Sequence, residues 1–179
     1  MLKIIYFVHG TSTDNEEHRS SGWHDCPLSD LGVSQTIQAK NNLICKQFDI
    51  VFSSDLSRAR QTAGILFPKL DVVFDERLRE CNYGVLNGSL GRRVKYEEHI
   101  KTPFPEGESL LDVQARITAF LHENLEKNDN KVIAIISHRA PQLALDVIVK
   151  KYSWSYAIKK DWRINGNWMP GWEYIIDDV

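Results

Sequence analysis

The chain is short of most features that would assign it to a special class. It has three cysteines in 179 residues, Cys26, Cys45 and Cys81, an odd number without a CxxC pair or zinc-finger spacing. That excludes a disulfide-built fold and is the pattern of reduced, partly buried thiols in a reducing compartment. No long apolar run occurs. Met1 to Val8 is apolar but is cut short by His9, too soon for a signal core or a membrane span. We therefore expect a cytoplasmic protein. Charge of one sign is also missing: 22 basic and 24 acidic residues give a formal net charge of -2. No global field exists that would hold nucleic acid or an anionic membrane, so any anion must be bound by a local cluster of donors.

What remains is an ordinary single-domain composition, 42% hydrophobic and 26% charged, long enough to bury a substantial core. We read residues 1–179 as one domain, without repeats or linkers. Ile4 to Val8 reads as a buried strand, and the polar stretch Thr11 to Asp25 as a long loop. Ser29 or Asp30 can cap a helix running to about Lys46, with Leu31, Ile37, Leu43 and Ile44 on its apolar side. Asp49 to Ser53, Val72 to Phe74 and Lys131 to Ile136 read as further strands. Helices are expected over Arg58 to Leu66, stopped by Pro68, and over Pro141 to Lys150. The clearest helix carries Leu110, Val113, Ile117, Phe120, Leu121 and Leu125 at three- and four-residue steps, behind a Ser109/Asp112 capping box. Cys81 to Leu90 reads as loop, and Trp172 to Asp177 as a final edge strand. Strands alternating with helices predict a three-layer α/β/α sandwich with a mainly parallel central sheet.

Ligands of such sheets sit beyond the carboxyl ends of the strands. Two of those ends carry histidine, His9 and His138, out of only six in the chain. A third carries Ser53, Ser54 and Asp55, with Arg58 opening the next helix. A neutral imidazole can attack phosphorus when its other nitrogen is held by an acceptor. A phosphoryl group needs donors around its oxygens. Arg58 can supply a bidentate fork at a helix start, and Asn15, Thr11, Ser12 and Thr13 can add neutral donors.

These residues fall into runs that resemble the histidine phosphatase (phosphoglycerate mutase-like) superfamily, from about Lys3 to at least Val149. Val8 to Asn15 resembles the opening "RHG" motif with its hydroxyl residue and Asn. Asp25 to Ser29 with Gly32 and Gln35 resembles the second block, and Ser53 to Ala63 matches "SSDLxRARQTA" at nearly every position. Leu78-Arg79-Glu80 with Gly84 and Gly88, Gly107-Glu108-Ser109, and Ser137-His138 complete the series. The resemblance implies a phosphoglycerate mutase-like fold and a phosphatase in which His9 accepts the phosphoryl group. Arg58, Asn15, His138 and Gly10 would hold that group, and Glu80 would act as acid and base. It implies no cofactor and no metal, in keeping with the lack of a clustered carboxylate or HxH set in the sequence. The partner implied is a small phosphorylated substrate or inorganic phosphate. Arg60 is read as structural, pairing a carboxylate along its helix.

Two positions depart from the family pattern. Val8 stands where the motif has Arg, and the reading Tyr6-Phe7-Val8-His9 suggests that the arginine was deleted rather than replaced. Arg139 stands where Gly is common after the second histidine. It is a candidate to turn into the pocket as a substitute guanidinium, or else to face solvent or a carboxylate. Arg92 and Arg93 could meet a second anionic group, or form a solvated basic turn. Trp154, Trp162, Trp168 and Trp172 could wall a pocket, with packing as the default. The expected function is a phosphomonoesterase. The alternatives are a silent member that binds a phosphorylated ligand or partner, and a phosphomutase, which would need longer loops to exclude water.

Overall fold

The computed structural model describes residues 1–43, 47–165 and 171–177. Among them, five strands form one sheet in the order β4-β3-β6-β1-β7: β4 (Val72–Phe74), β3 (Ile50–Ser53), β6 (Val132–Ser137), β1 (Leu2–Val8) and β7 (Trp172–Ile176). The first four are parallel, and β7 closes the edge antiparallel to β1. Two-residue strands β2 (Arg19–Ser20) and β5 (Ser89–Leu90) pair separately above it.

Strand alternation decides which helices cover which face. Leu2, Ile4, Tyr6, Ile133 and Ile135 point towards α4 (Leu110–Lys127) and α5 (Arg139–Lys150), and the short α6 (Trp154–Lys159) joins that cluster. Phe7, Val51, Ala134 and Ile136 point the other way, onto Ala59, Ala63 and Leu66 of α3 (Ser57–Leu66) and Ala39 of α2 (Asp30–Asn41). The three layers are those expected. The α4 capping box forms as read, and Val113, Ile117, Phe120 and Leu121 are buried.

Several boundaries differ. The stretch read as a long polar loop contains α1 (Thr13–Glu16), capped by Ser12, and then β2. The Cys81 to Leu90 loop holds a 3₁₀ turn and β5. Helix α2 ends at Asn41 rather than near Lys46, and Ile44 and Lys46 lie outside the described residues. Its inward face is Gly32, Thr36 and Ala39, whereas Leu31 and Ile37 are about half exposed. The cause is a close approach. A Cβ on Gly32 would lie 2.0 Å from the Thr11 carbonyl oxygen, and one on Gly10 2.4 Å from the Gly32 carbonyl oxygen. Only small residues let α2 touch the turn after β1.

Candidate active site

Register places the two histidines. Val8 pairs with Ser137 across β1 and β6, so His9 and His138 leave adjacent parallel strands side by side. Their ring centroids lie 5.0 Å apart. On the other flank of β6, Ser53 pairs with Ile136, which brings Ser54 beside His138.

His9 Nδ1 lies 2.6 Å from the Gly10 carbonyl oxygen. A carbonyl only accepts, so Nδ1 carries the proton and the lone pair is on Nε2. The Arg58 Nε–H points at that Nε2, 3.3 Å away. Burial, then the guanidinium of Arg58, pulls the His9 pKa down to about 3, against the pull of the Gly10 carbonyl; Arg163 adds to the lowering. His9 is therefore neutral at ordinary pH.

His138 has the complementary pattern. Its Nε2 is 2.8 Å from Ser54 Oγ, which already accepts the Leu56 N–H. Ser54 is fully buried, and its hydroxyl proton would be stranded unless it is donated to Nε2. The His138 proton therefore sits on Nδ1, which is buried and, among the described residues, has no partner. Burial, then Arg58 and His9, holds this imidazole well below its usual range. Tyr6 fixes its backbone: the hydroxyl donates to the His138 carbonyl at 2.7 Å and accepts the His138 N–H at 3.1 Å.

Arg58 is buried in the first turn of α3. Its Nη2 donates to the Gly22 carbonyl at 2.8 Å and its Nη1 to the His24 carbonyl at 3.2 Å. Gly22 adopts φ of +55°, a conformation that suits glycine, and this turn aims its carbonyl at the guanidinium. Glu80 is buried. Its Oε1 accepts the Cys81 and Ala140 N–H groups at 2.9 Å each, and Oε2 accepts the Arg139 N–H at 3.1 Å. The carboxylate thus sits on the amino end of α5, favoured there by the helix dipole. Arg116 grips the carbonyls of Arg79 and Glu80 at 2.7 and 3.0 Å, which holds the segment in place.

A cleft of about 730 Å³ opens over these groups, lined by His9, Asn15, Arg58, Glu80, Arg139 and Arg163 among others. Asn15 Oδ1 accepts the Ser12 N–H at 3.1 Å, which leaves its amide nitrogen as a donor. The Gly10 N–H, expected among the phosphate donors, is directed at Thr62 Oγ1 instead. Gly10 serves by accepting the His9 proton. Arg139 lines the cleft, but its Nε is bound to buried Asp161 at 2.6 Å and its guanidinium lies 4.4 Å over the Tyr96 ring. Arg92 and Arg93 are exposed and are not among the residues that line the cleft. Arg60 stacks 4.1 Å over Phe74 and, among the described residues, pairs no carboxylate. Trp162 lines the cleft, Trp154 is core, and Trp172 packs edge-on to Tyr6. Trp168 and Cys45 lie outside the described residues, while Cys26 and Cys81 are buried free thiols.

Three features went unnoticed in the sequence. Asp161 and Arg163 join the site from the segment after α6, without any motif to mark them; the nearest signal was Trp162. Tyr6 carries the backbone of His138, although in sequence it reads as one more apolar strand residue. Asp14, His24 and Cys26 also come together, their ligand atoms within 4.8 Å of one another. The sequence, read without folding, shows no such cluster. Its members bond locally, Asp14 to His24 at 3.0 Å and Cys26 to Ser21 at 3.3 Å, and so brace the turn that binds Arg58.

A parallel sheet with two neutral imidazoles side by side and a buried arginine at its carboxyl edge is an arrangement suited to phosphoryl chemistry. The histidine phosphatase superfamily (branch 1) matches residues 5–157, and the chain belongs to that family. It is 31% identical over 157 residues to phosphoserine phosphatase 1 of Hydrogenobacter thermophilus, covering 81% of this chain and 74% of that protein. It is 39% identical over 131 residues to a 2,3-bisphosphoglycerate-dependent phosphoglycerate mutase of Allorhizobium ampelinum, covering 64% of this chain and 62% of the mutase. Among solved structures, a mycobacterial glucosyl-3-phosphoglycerate phosphatase in complex with VO3 aligns with a TM-score of 0.75 at 27% identity, over 87% of this chain and 85% of that one. The fold is therefore phosphoglycerate mutase-like, and phosphatase chemistry is supported at the level of the family. No described helix is long and apolar enough to cross a membrane.

Proposed function

We propose that the protein hydrolyses a small phosphomonoester through a phosphohistidine on His9, without a metal ion. The observation that carries this reading is the complementary tautomer pair: His9 has its lone pair on Nε2, and His138 an N–H on Nδ1 that has no partner among the described residues. The His9 lone pair forms the N–P bond as the P–O ester bond breaks. Glu80 enters the cycle protonated on Oε2, which among the described residues is bonded by Arg139 N alone, and gives that proton to the leaving oxygen. The Glu80 carboxylate then removes a proton from water, whose oxygen attacks phosphorus. The N–P bond breaks, releasing inorganic phosphate and neutral His9. Arg58 Nε, His138 Nδ1 and the Asn15 amide are the donors for the phosphoryl oxygens, supplying charge stabilisation that a metal ion would otherwise provide.

The test is hydrolysis of an aryl phosphate with excess chelator, beside His9→Ala. Activity that survives the chelator and is absent from the variant supports the reading. Activity lost to the chelator and restored by a divalent ion refutes metal independence, and directs attention to Asp14, His24 and Cys26. Val8, with no guanidinium before His9, favours a second reading in which the site binds a phosphorylated ligand without turnover. Tight phosphate binding with no hydrolysis above His9→Ala would select it. A mutase, which some relatives are named for, would instead move the phosphoryl group between substrate oxygens in preference to water.

A further inference from the structure

We infer that Arg163 is a second guanidinium of the phosphoryl site, its Nη2 donating to an oxygen of the group held over His9; this rests on the cleft taking a phosphoryl group. The residue before His9 brings no charge: it is Val8, an apolar side chain that packs with the core cluster and lines the cleft. Arg58 has Nη1 and Nη2 committed to the His24 and Gly22 carbonyls, so only its Nε, which faces His9, is left for the phosphoryl group. Arg139 is drawn aside by Asp161 and Tyr96. Arg163 is held differently. Its Nη1 binds Asp161 Oδ1 at 2.8 Å and Gln142 Oε1 at 3.2 Å, and its backbone N–H binds the same Asp161 oxygen at 3.1 Å. Those bonds fix one edge of the fork. The other nitrogen, Nη2, is buried and, among the described residues, has no partner, although the residue lines the cleft. A buried guanidinium N–H without an acceptor carries a desolvation penalty that an anion would remove.

Asp161 has no exposed side-chain surface and bridges Arg139 and Arg163. Against the opposing effect of its own burial, the two guanidiniums hold its carboxyl below the usual range. Two guanidiniums on one carboxylate leave a net positive charge on the Arg139, Asp161 and Arg163 side chains. The charge of Arg163 also reaches both imidazoles and helps to keep them neutral. Arg163 therefore does two things: it binds the anion and preserves the nucleophile's lone pair.

The experiment measures inorganic phosphate as a competitive inhibitor of aryl phosphate hydrolysis, and its direct binding by calorimetry, for wild type, Arg163→Gln and Arg163→Lys. Arg163→Gln should weaken phosphate about ten- to a hundredfold, the range for losing one charge-assisted hydrogen bond, with Arg163→Lys in between. Wild-type affinity in folded Arg163→Gln would overturn the inference. Should that variant not fold, the wild-type protein, labelled with ¹⁵N on arginine, is titrated with phosphate by NMR. Shifts of the Arg163 guanidinium in step with Arg58 support the inference, and a shift of Arg58 alone overturns it. Failure of the enzymatic reading looks different: hydrolysis in His9→Ala would equal wild type, while Arg163 could still govern phosphate binding.

Discussion

The two sides of the cleft are built on opposite plans. The floor, at the ends of β1, β3 and β6, is set by the backbone: register places His9 beside His138, the Gly10 carbonyl sets one tautomer, and buried Ser54 sets the other. The wall from Arg139 to Arg163 is set by side chains, with two guanidiniums arranged on one buried carboxylate. Sheet geometry tolerates no slippage, so the floor can hold an attacking atom in line; a side-chain cluster adjusts more readily and suits recognition of an anion. Chemistry should therefore be sensitive to the floor, and affinity to the wall.

The sharpest break is His9→Ala, which removes the proposed nucleophile and should lower hydrolysis by about 10⁴-fold or more. A fall of less than tenfold would mean that the attacking group lies elsewhere. Glu80→Gln keeps the shape but cannot exchange a proton; kcat should fall about 10²–10⁴-fold with little change in KM. An equal loss in KM would recast Glu80 as a binding residue. Arg58→Lys keeps charge but loses the fork that reaches His9, Gly22 and His24, and about tenfold to a few hundredfold in kcat/KM should go with it.

A smaller effect appears in stability. Native His9 titrates at about 3 and His138 well below its usual value, whereas the unfolded imidazoles titrate near 6.5. Between these limits the unfolded chain binds protons that the native floor refuses. Stability is therefore fullest above pH 6.5 and falls as pH drops towards 4, by on the order of 1–3 kcal/mol from His9, with His138 acting in the same direction. Urea midpoints at pH 7 and pH 4.5 check this, and equal midpoints would mean that the imidazoles are not buried neutral. Last, Tyr6→Phe removes the hydroxyl that binds the backbone of His138, with an expected loss of about 1 kcal/mol in the same titration.

The floor was legible in the sequence because strand ends are legible. Apolar runs of β-branched residues stop at His9, Ser53 and Ser137, and a parallel sheet gathers such ends at one edge. The capping box of α4 was equally plain, since Ser109 and Asp112 interact locally. The wall was not. Arg163 reaches the site only because the chain after α6 turns back over the carboxyl edge, a matter of tertiary path that no local pattern records. Arg139, next to a recognised motif, reads either as a substitute guanidinium or as a carboxylate's partner; the geometry gives the second, with Asp161, and leaves Arg163 with a nitrogen that has no partner among the described residues. The face of α2 was misread for a related reason: apolar periodicity favoured Leu31 and Ile37, while the close approach of Gly10 to Gly32 demanded small residues inward.

The most direct test of the chemistry is to trap the intermediate. Chelator-treated protein is mixed with an aryl phosphate, quenched within the first turnover under alkaline conditions, and mapped by mass spectrometry. A base-stable, acid-labile phosphoryl adduct on the peptide containing His9, absent from His9→Ala and formed no more slowly than turnover, is the result expected here. Steady turnover with no adduct on His9, or with the adduct on another residue, would contradict it.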